Sequence, residues 1–128
     1  MITTIQGYRL LVESTSNLQI IQLPEFVLKM TYQHYPEVLP YEIFDIHHKN
    51  LGNITLVQRS TCFQVHTVTL HTPGQGIGFK LYSQLIEFLP MPLESSKIRS
   101  SNSNDLWSKL VRTGHAMYDP LKNVYTSK

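Results

Sequence analysis

The 128-residue sequence holds one cysteine, Cys62. A single thiol forms no intrachain disulfide and no paired-thiol metal or redox site, so a reducing, cytoplasmic compartment is the expectation. Charge is also scarce, at 16% of residues, against roughly 25% in an average soluble domain. Eleven basic residues against nine acidic ones leave a formal net charge of +2. That balance excludes a Lys/Arg-rich nucleic-acid surface and an acidic mimic of nucleic acid alike, so no nucleic-acid partner is expected. No apolar run reaches the length of a membrane span, and residues Met1 to Ile5 show neither the basic start nor the small-residue cleavage site of a signal peptide. No membrane partner is expected.

What is present is 41% hydrophobic residues, enough at this length for one self-sufficient core, so residues 1–128 read as a single domain. No internal repeat or linker divides it. Residues 1–40 carry the weakest pattern. Ile5 to Val12 suits a strand, Leu18 to Leu23 a strand or a short helix, and Glu25 to Tyr35 a helix, with Phe26, Val27, Met30 and His34 at helical spacing after Pro24. Pro36 and Pro40 close that region. From Tyr41 the pattern sharpens: Tyr41 to Ile46 is a strand, His48 to Asn53 a turn, and Ile54 to Val57 the return strand of a hairpin. Phe63 to His71 is a further strand, with Phe63, Val65, Thr67 and Thr69 on one face and His66, Val68 and Leu70 on the other.

Thr72-Pro73-Gly74-Gln75-Gly76-Ile77-Gly78 then runs into an amphipathic helix whose apolar stripe is Leu81, Tyr82, Leu85, Ile86 and Leu89. Pro90 and Pro92 end it. Leu93 to Ile98 reads as a short strand, and the Ser100 to Asn104 cluster caps a second helix with Leu106, Trp107, Leu110 and Val111 on its apolar face. Gly114 stops that helix, and a last strand covers Lys122 to Thr126.

A strand, a glycine loop and a helix start make an anion site, because unpaired N–H groups point outward and no Cβ atoms stand in the way. The P-loop pattern fails, since Leu81 rather than a hydroxyl residue follows Lys80. The dinucleotide pattern fails too, since the glycines read Gly-x-Gly-x-Gly and the upstream strands form hairpins. His47 and His48 have no thiol or carboxylate nearby in sequence, so no metal site is expected.

The order hairpin, strand, glycine loop, helix, short strand and second helix runs from Tyr41 to about Gly114. With the segment Pro73 to Tyr82, the stretch Leu93-Glu94-Ser95-Ser96, and Leu106-Trp107-Ser108-Lys109-Leu110, it resembles the Gcn5-related N-acetyltransferase (GNAT) superfamily, in particular small phage-encoded and bacterial members. The resemblance implies an α/β (α+β) fold with a mixed, mainly antiparallel central sheet flanked by helices, splayed where Phe63–His71 meets Leu93–Ile98. It implies an acyl-CoA-dependent N-acetyltransferase that moves an acetyl group from acetyl-CoA, its co-substrate, directly to an amine of a small molecule or protein. Backbone N–H groups of Gly74, Gln75, Gly76, Ile77, Gly78, Phe79 and Lys80 would hold the pyrophosphate, and Val68, Thr69 and Leu70 would pair with the pantetheine arm.

The family's usual proton donor is a Tyr in the second helix, and Trp107 stands at that position here. Pro73 likewise replaces the family's Gln or Arg. Tyr118 is the nearest substitute acid, and His71, at the end of the strand before the loop, is the candidate base, an imidazole being suited to proton transfer near neutral pH. His66, Glu42 and Glu94 are weaker candidates. The alternative is a non-catalytic GNAT-like binding protein, phage-encoded, that engages a host protein. A free sheet edge near the C-terminus offers a route to a homodimer.

Overall fold

A computed structural model describes residues 18–72 and 74–128. The expected strand at Ile5 to Val12 lies outside them. Eight strands and two helices follow in the order β1 (Ile20–Gln22), β2 (Phe26–Met30), β3 (Val38–Asp45), β4 (Asn50–Gln58), β5 (Phe63–Leu70), α1 (Ile77–Phe88), β6 (Leu93–Glu94), α2 (Ser101–Arg112), β7 (Ala116–Asp119) and β8 (Val124–Ser127). One sheet takes all eight strands in the order β1-β2-β3-β4-β5-β6-β8-β7.

Glu25 to Tyr35 is not a helix. Pro24 sits in a tight turn closed by Leu23 N–H donating to the Phe26 carbonyl at 2.8 Å. The chain then returns as β2, paired with β1 through Ile21↔Leu28 and with β3 through Leu28↔Ile43. Phe26, Val27 and Met30 fit the helical period, yet Phe26 and Leu28 also alternate with the less buried Val27 and Lys29, and both are buried. Pairing on both edges outweighs a weak helical preference.

The hairpin β3–β4 is tighter than its sequence suggests. The Asp45 carboxylate accepts from His47 N–H at 2.8 Å and Lys49 N–H at 2.9 Å, so β4 begins already at Asn50. These bonds hold the Asp45 carboxyl below its ordinary value, the Lys49 amide contributing most. Gly52 in β4 has φ 145°, and a Cβ built on it would lie 1.9 Å from the Thr69 carbonyl oxygen. Only glycine lets β5 come this close.

The β5 strand carries a bulge. Register passes from Thr55↔Thr67 to Leu56↔Val65, leaving His66 over. One extra residue exchanges the two faces of a strand. Phe63 and Val65 are therefore the buried residues before the bulge, while Val68 and Leu70 turn toward the core after it and Thr67 and Thr69 face outward. Strict alternation from Phe63 to Thr69, the expectation from sequence, is corrected accordingly.

Among the described residues only β5 and β6 pair in parallel, at Phe63↔Leu93 and Gln64↔Glu94. The pairing stops there because β6 itself ends at Glu94, in place of the expected splay of two long strands. The strand expected at Leu93 to Ile98 is just two residues long, because Ser95 turns its hydroxyl to accept from Tyr125 N–H at 2.9 Å and Ile98 lies almost wholly exposed.

Helix α1 buries Leu81, Tyr82 and Leu85 and ends where Leu89 turns extended before Pro90. Helix α2 starts at Ser100, whose side chain accepts from Ser103 N–H, and buries Trp107 and Leu110. It stops as expected at Gly114, with His115 N–H bonded back to the Leu110 carbonyl. Trp107 is the hub between the helices and the C-terminal strands: its ring meets Tyr82 edge-on at 5.5 Å and stacks on Tyr125 at 5.8 Å. Truncating such a buried indole removes about 3–5 kcal/mol.

Candidate functional site

Beside the part of β5 beyond the short β6 lies a cleft of about 710 Å³, within the size range of small-molecule sites. Val68 and Leu70 form its strand wall, Gly74, Gly76, Gly78 and Phe79 its loop and helix-start wall, and Ser103, Leu106 and Lys109 part of the opposite wall on α2. The bulge at His66 is what turns Val68 and Leu70 toward this space. Elements that are distant in sequence thus converge on one depression.

At its mouth Gly76 takes a left-handed φ of 75° as N-cap of α1. No side chain caps the helix and no acidic residue lies in its first turn. Among the N-terminal amides, Lys80 N–H returns to the Gly76 carbonyl at 3.2 Å, while the first amides of an α-helix have no intrahelical acceptor. Donors of that kind and the positive end of the helix dipole suit an anion. Gly78 lies under Leu106, whose Cδ2 would be 3.3 Å from an added Cβ, so the two helices touch closely beneath the loop.

Deeper in the cleft stands Tyr82. Its side chain is fully buried, and its hydroxyl has no hydrogen-bond partner among the described residues. Burial raises its pKa above the phenol's ordinary value of 10, so it stays protonated and able to donate. A buried polar group left without a partner costs roughly 1–3 kcal/mol. By contrast the other strongly buried phenol, Tyr41, donates to the Leu18 carbonyl at 2.6 Å.

Of the residues expected to hold a cofactor, Val68, Leu70, Gly74, Gly76, Gly78 and Phe79 line the cleft, whereas the side chains of Thr69, Gln75, Ile77 and Lys80 do not. Lys80 instead makes a 3.4 Å ion pair with Glu25. Glu25 also accepts from the Gln84 amide at 3.0 Å, so the β1–β2 turn is fastened to the outer side of α1. The proton-transfer candidates lie elsewhere. His71 ends β5 with its Nε2 3.1 Å from the Asn50 side-chain oxygen, exposed. Tyr118 sits on β7 and donates to Asn123 at 2.7 Å. Neither lines the cleft. Trp107, at the position expected for a tyrosine acid, is buried behind Tyr82.

Two wall residues escaped sequence reading. Tyr82 counted only as one of the apolar stripe, and its missing partner shows only in three dimensions. Lys109 counted only as part of the stretch Leu106 to Leu110, with no role of its own. Cys62 is buried, and burial pushes its thiol up, as suits an unreactive side chain. Among the described residues no cluster of three metal-ligating side chains occurs, and no helix is long and apolar enough to cross a membrane.

No protein-family model matches the sequence, and no curated protein matches it. Solved structures do. A GNAT-family protein of Bacteroides thetaiotaomicron, named as a candidate acetyltransferase, aligns over 91% of this chain and 79% of its own at 14% identity and a TM-score of 0.53. The anti-CRISPR protein AcrVA5 aligns over 60% of this chain and 90% of its own, 17% identical, at a TM-score of 0.43. The likeness to the Bacteroides protein gives the chain a GNAT-like fold, with a curled, mainly antiparallel sheet and two helices among the described residues.

Proposed function

We propose that this protein binds acetyl-CoA in the β5–α1–α2 cleft and transfers the acetyl group directly to an amine. The observation that carries the reading is the uncapped start of α1, opening beside a strand edge that, among the described residues, is unpaired from Val65 to Leu70. A diphosphate suits the first feature and an extended amide-bearing arm the second. The orphaned Tyr82 hydroxyl supports the fit, since it offers a donor to a ligand carbonyl. In direct transfer the neutral amine would form a C–N bond at the thioester carbon, the C–S bond would break, and CoA would leave as a thiol that takes up, through solvent, the proton the amine gives up. The chain's part is to orient the arm along β5, hold the diphosphate at Gly76 to Phe79 and exclude water between α1 and α2.

A second reading, a non-catalytic binding protein that uses the same scaffold to engage another protein, draws on one observation. The titratable side chains lining the cleft are Tyr82, Asp105 and Lys109, and neither of the expected proton-transfer residues, His71 and Tyr118, is among them. Titration calorimetry with acetyl-CoA and CoA, followed by turnover assays on a panel of amines, separates the two. Binding that Gly76→Glu abolishes, together with acetylated product, supports the enzyme. Binding without product favours the second reading, and the absence of CoA binding defeats the first.

A further inference from the structure

Lys109 lies on the cleft wall opposite the glycine loop. Its ammonium stands over the Phe79 ring, 4.4 Å from the centroid. Phe79 is the third residue of α1, so a cation from α2 is parked at the positive end of α1's dipole. The Phe79 ring and the C-terminal end of α2 hold the ammonium there, and no carboxylate neutralises it: the first turn of α1 holds no acidic side chain, and the Lys80–Glu25 contact is the sole ion pair among the described residues. Asp105, one turn before Lys109 on the same wall, is exposed and makes no ion pair with it. His115 faces the Phe79 ring edge-on from the far side and is bonded to Thr113, so it too leaves the ammonium unpaired.

An independent feature of the same cleft points to a ligand, the fully buried Tyr82 hydroxyl that no described residue satisfies. Positive charge at the rim and an unmet donor at the floor suit one molecule with an anionic head and a carbonyl-bearing arm. We infer that Lys109 is the charged ligand of the cleft, reaching from α2 across the Phe79 ring to the diphosphate seated on the start of α1. This rests on the acyl-CoA reading above and extends it, because the charge comes from the second helix rather than from the loop. Pro73 leaves the loop without a cation, and Lys80 is turned away to Glu25. The Phe79 ring keeps the lysine in place before the ligand arrives.

Lys109 also lies in the last turn of α2, where the dipole of that helix favours a cation. Arg112 shares that turn without lining the cleft, and so serves as the matched control. The test is titration calorimetry of the full chain and of Lys109→Gln, Lys109→Arg and Arg112→Gln. The probes are CoA, dephospho-CoA, pantetheine and inorganic pyrophosphate, at about 50 and about 200 mM salt.

Lys109→Gln is expected to weaken CoA, dephospho-CoA and pyrophosphate about tenfold and to flatten their salt dependence. Pantetheine binding stays unchanged, Lys109→Arg restores most of the loss, and Arg112→Gln stays within about twofold of wild type. Equal CoA binding by wild type and Lys109→Gln overturns the inference and leaves the acyl-CoA reading standing. If the Lys109 effect vanishes with dephospho-CoA, the diphosphate assignment is wrong. Pyrophosphate binding that needs Lys109, without CoA binding, keeps the anion site and removes the acyl-CoA reading. Binding of neither removes both.

Discussion

The two ends of the described chain are built on opposite logics. From β5 to α2, local chemistry and tertiary role agree: glycines sit where the backbone lines the cleft, apolar stripes face the sheet, and Ser100 caps the helix it precedes. From Glu25 to Tyr35, local pattern and tertiary role part company. The segment carries a helical period, yet it forms a strand whose pairing with β3 decides the outcome. The connection from β2 to β3 is only Thr31 to Glu37, and it displays Tyr32 and Tyr35 to solvent, the first stacked edge-on with His34 at 4.6 Å. One end builds a cleft; the other contributes an edge and an exposed aromatic loop. Segments whose function demands a particular backbone write that demand into their residues, while segments that only complete a sheet do not.

Gly52→Ala tests the seam between the two ends and carries the largest expected effect. A methyl 1.9 Å from the Thr69 carbonyl cannot coexist with the β4–β5 pairing. Stability should fall by about 4 kcal/mol or more, read as the urea midpoint. A variant with an unchanged midpoint would show that the strands approach less closely than described.

Tyr82→Phe sharpens the comparison from the cleft side, because it removes a hydroxyl that the ligand-free fold does not satisfy. The expected result is a gain in stability of about 1 kcal/mol without ligand. Loss of stability would mean that the hydroxyl has a partner in the folded chain.

Asp45→Asn probes the β3–β4 turn through pH. The Asp45 carboxyl is held below its ordinary 3.8, so the folded state favours its ionised form. The stabilisation is then complete above about pH 4 and is lost as pH falls through the lowered value. The variant should melt slightly lower than wild type at neutral pH and equally at pH about 2. A constant difference across that range would rule out the charge as its source.

The smallest expected effect belongs to the aromatic loop. Tyr32→Ser with Tyr35→Ser should change stability by no more than about 0.5 kcal/mol and leave CoA affinity unaltered. If turnover with a given amine falls at the same time, the hairpin end reads the acceptor while the cleft end reads the donor.

Much of the architecture is legible in the residues. The glycine loop, both helices and their stops and the β3–β4 hairpin follow from spacing and punctuation. What is not legible depends on distance relations that sequence does not carry. The His66 bulge exchanges the faces of β5, and no residue type announces it. Within the candidate site the backbone cradle is readable from Gly74 to Gly78, because missing side chains are visible in a sequence. Lys109 and Tyr82 are not, since their meaning lies in an ammonium above a ring on another helix and a hydroxyl with no neighbour. Lys80 shows the converse: adjacent to the loop in sequence, it is drawn off by Glu25, a residue 55 positions away.

Trp107 is the sole tryptophan of the chain. It sits one ring away from the cleft through Tyr82, and through Tyr125 two rings from the edge strand that carries Tyr118. Its fluorescence therefore watches two places at once without a label: ligand entry on one side, and fraying or pairing of the C-terminal edge on the other.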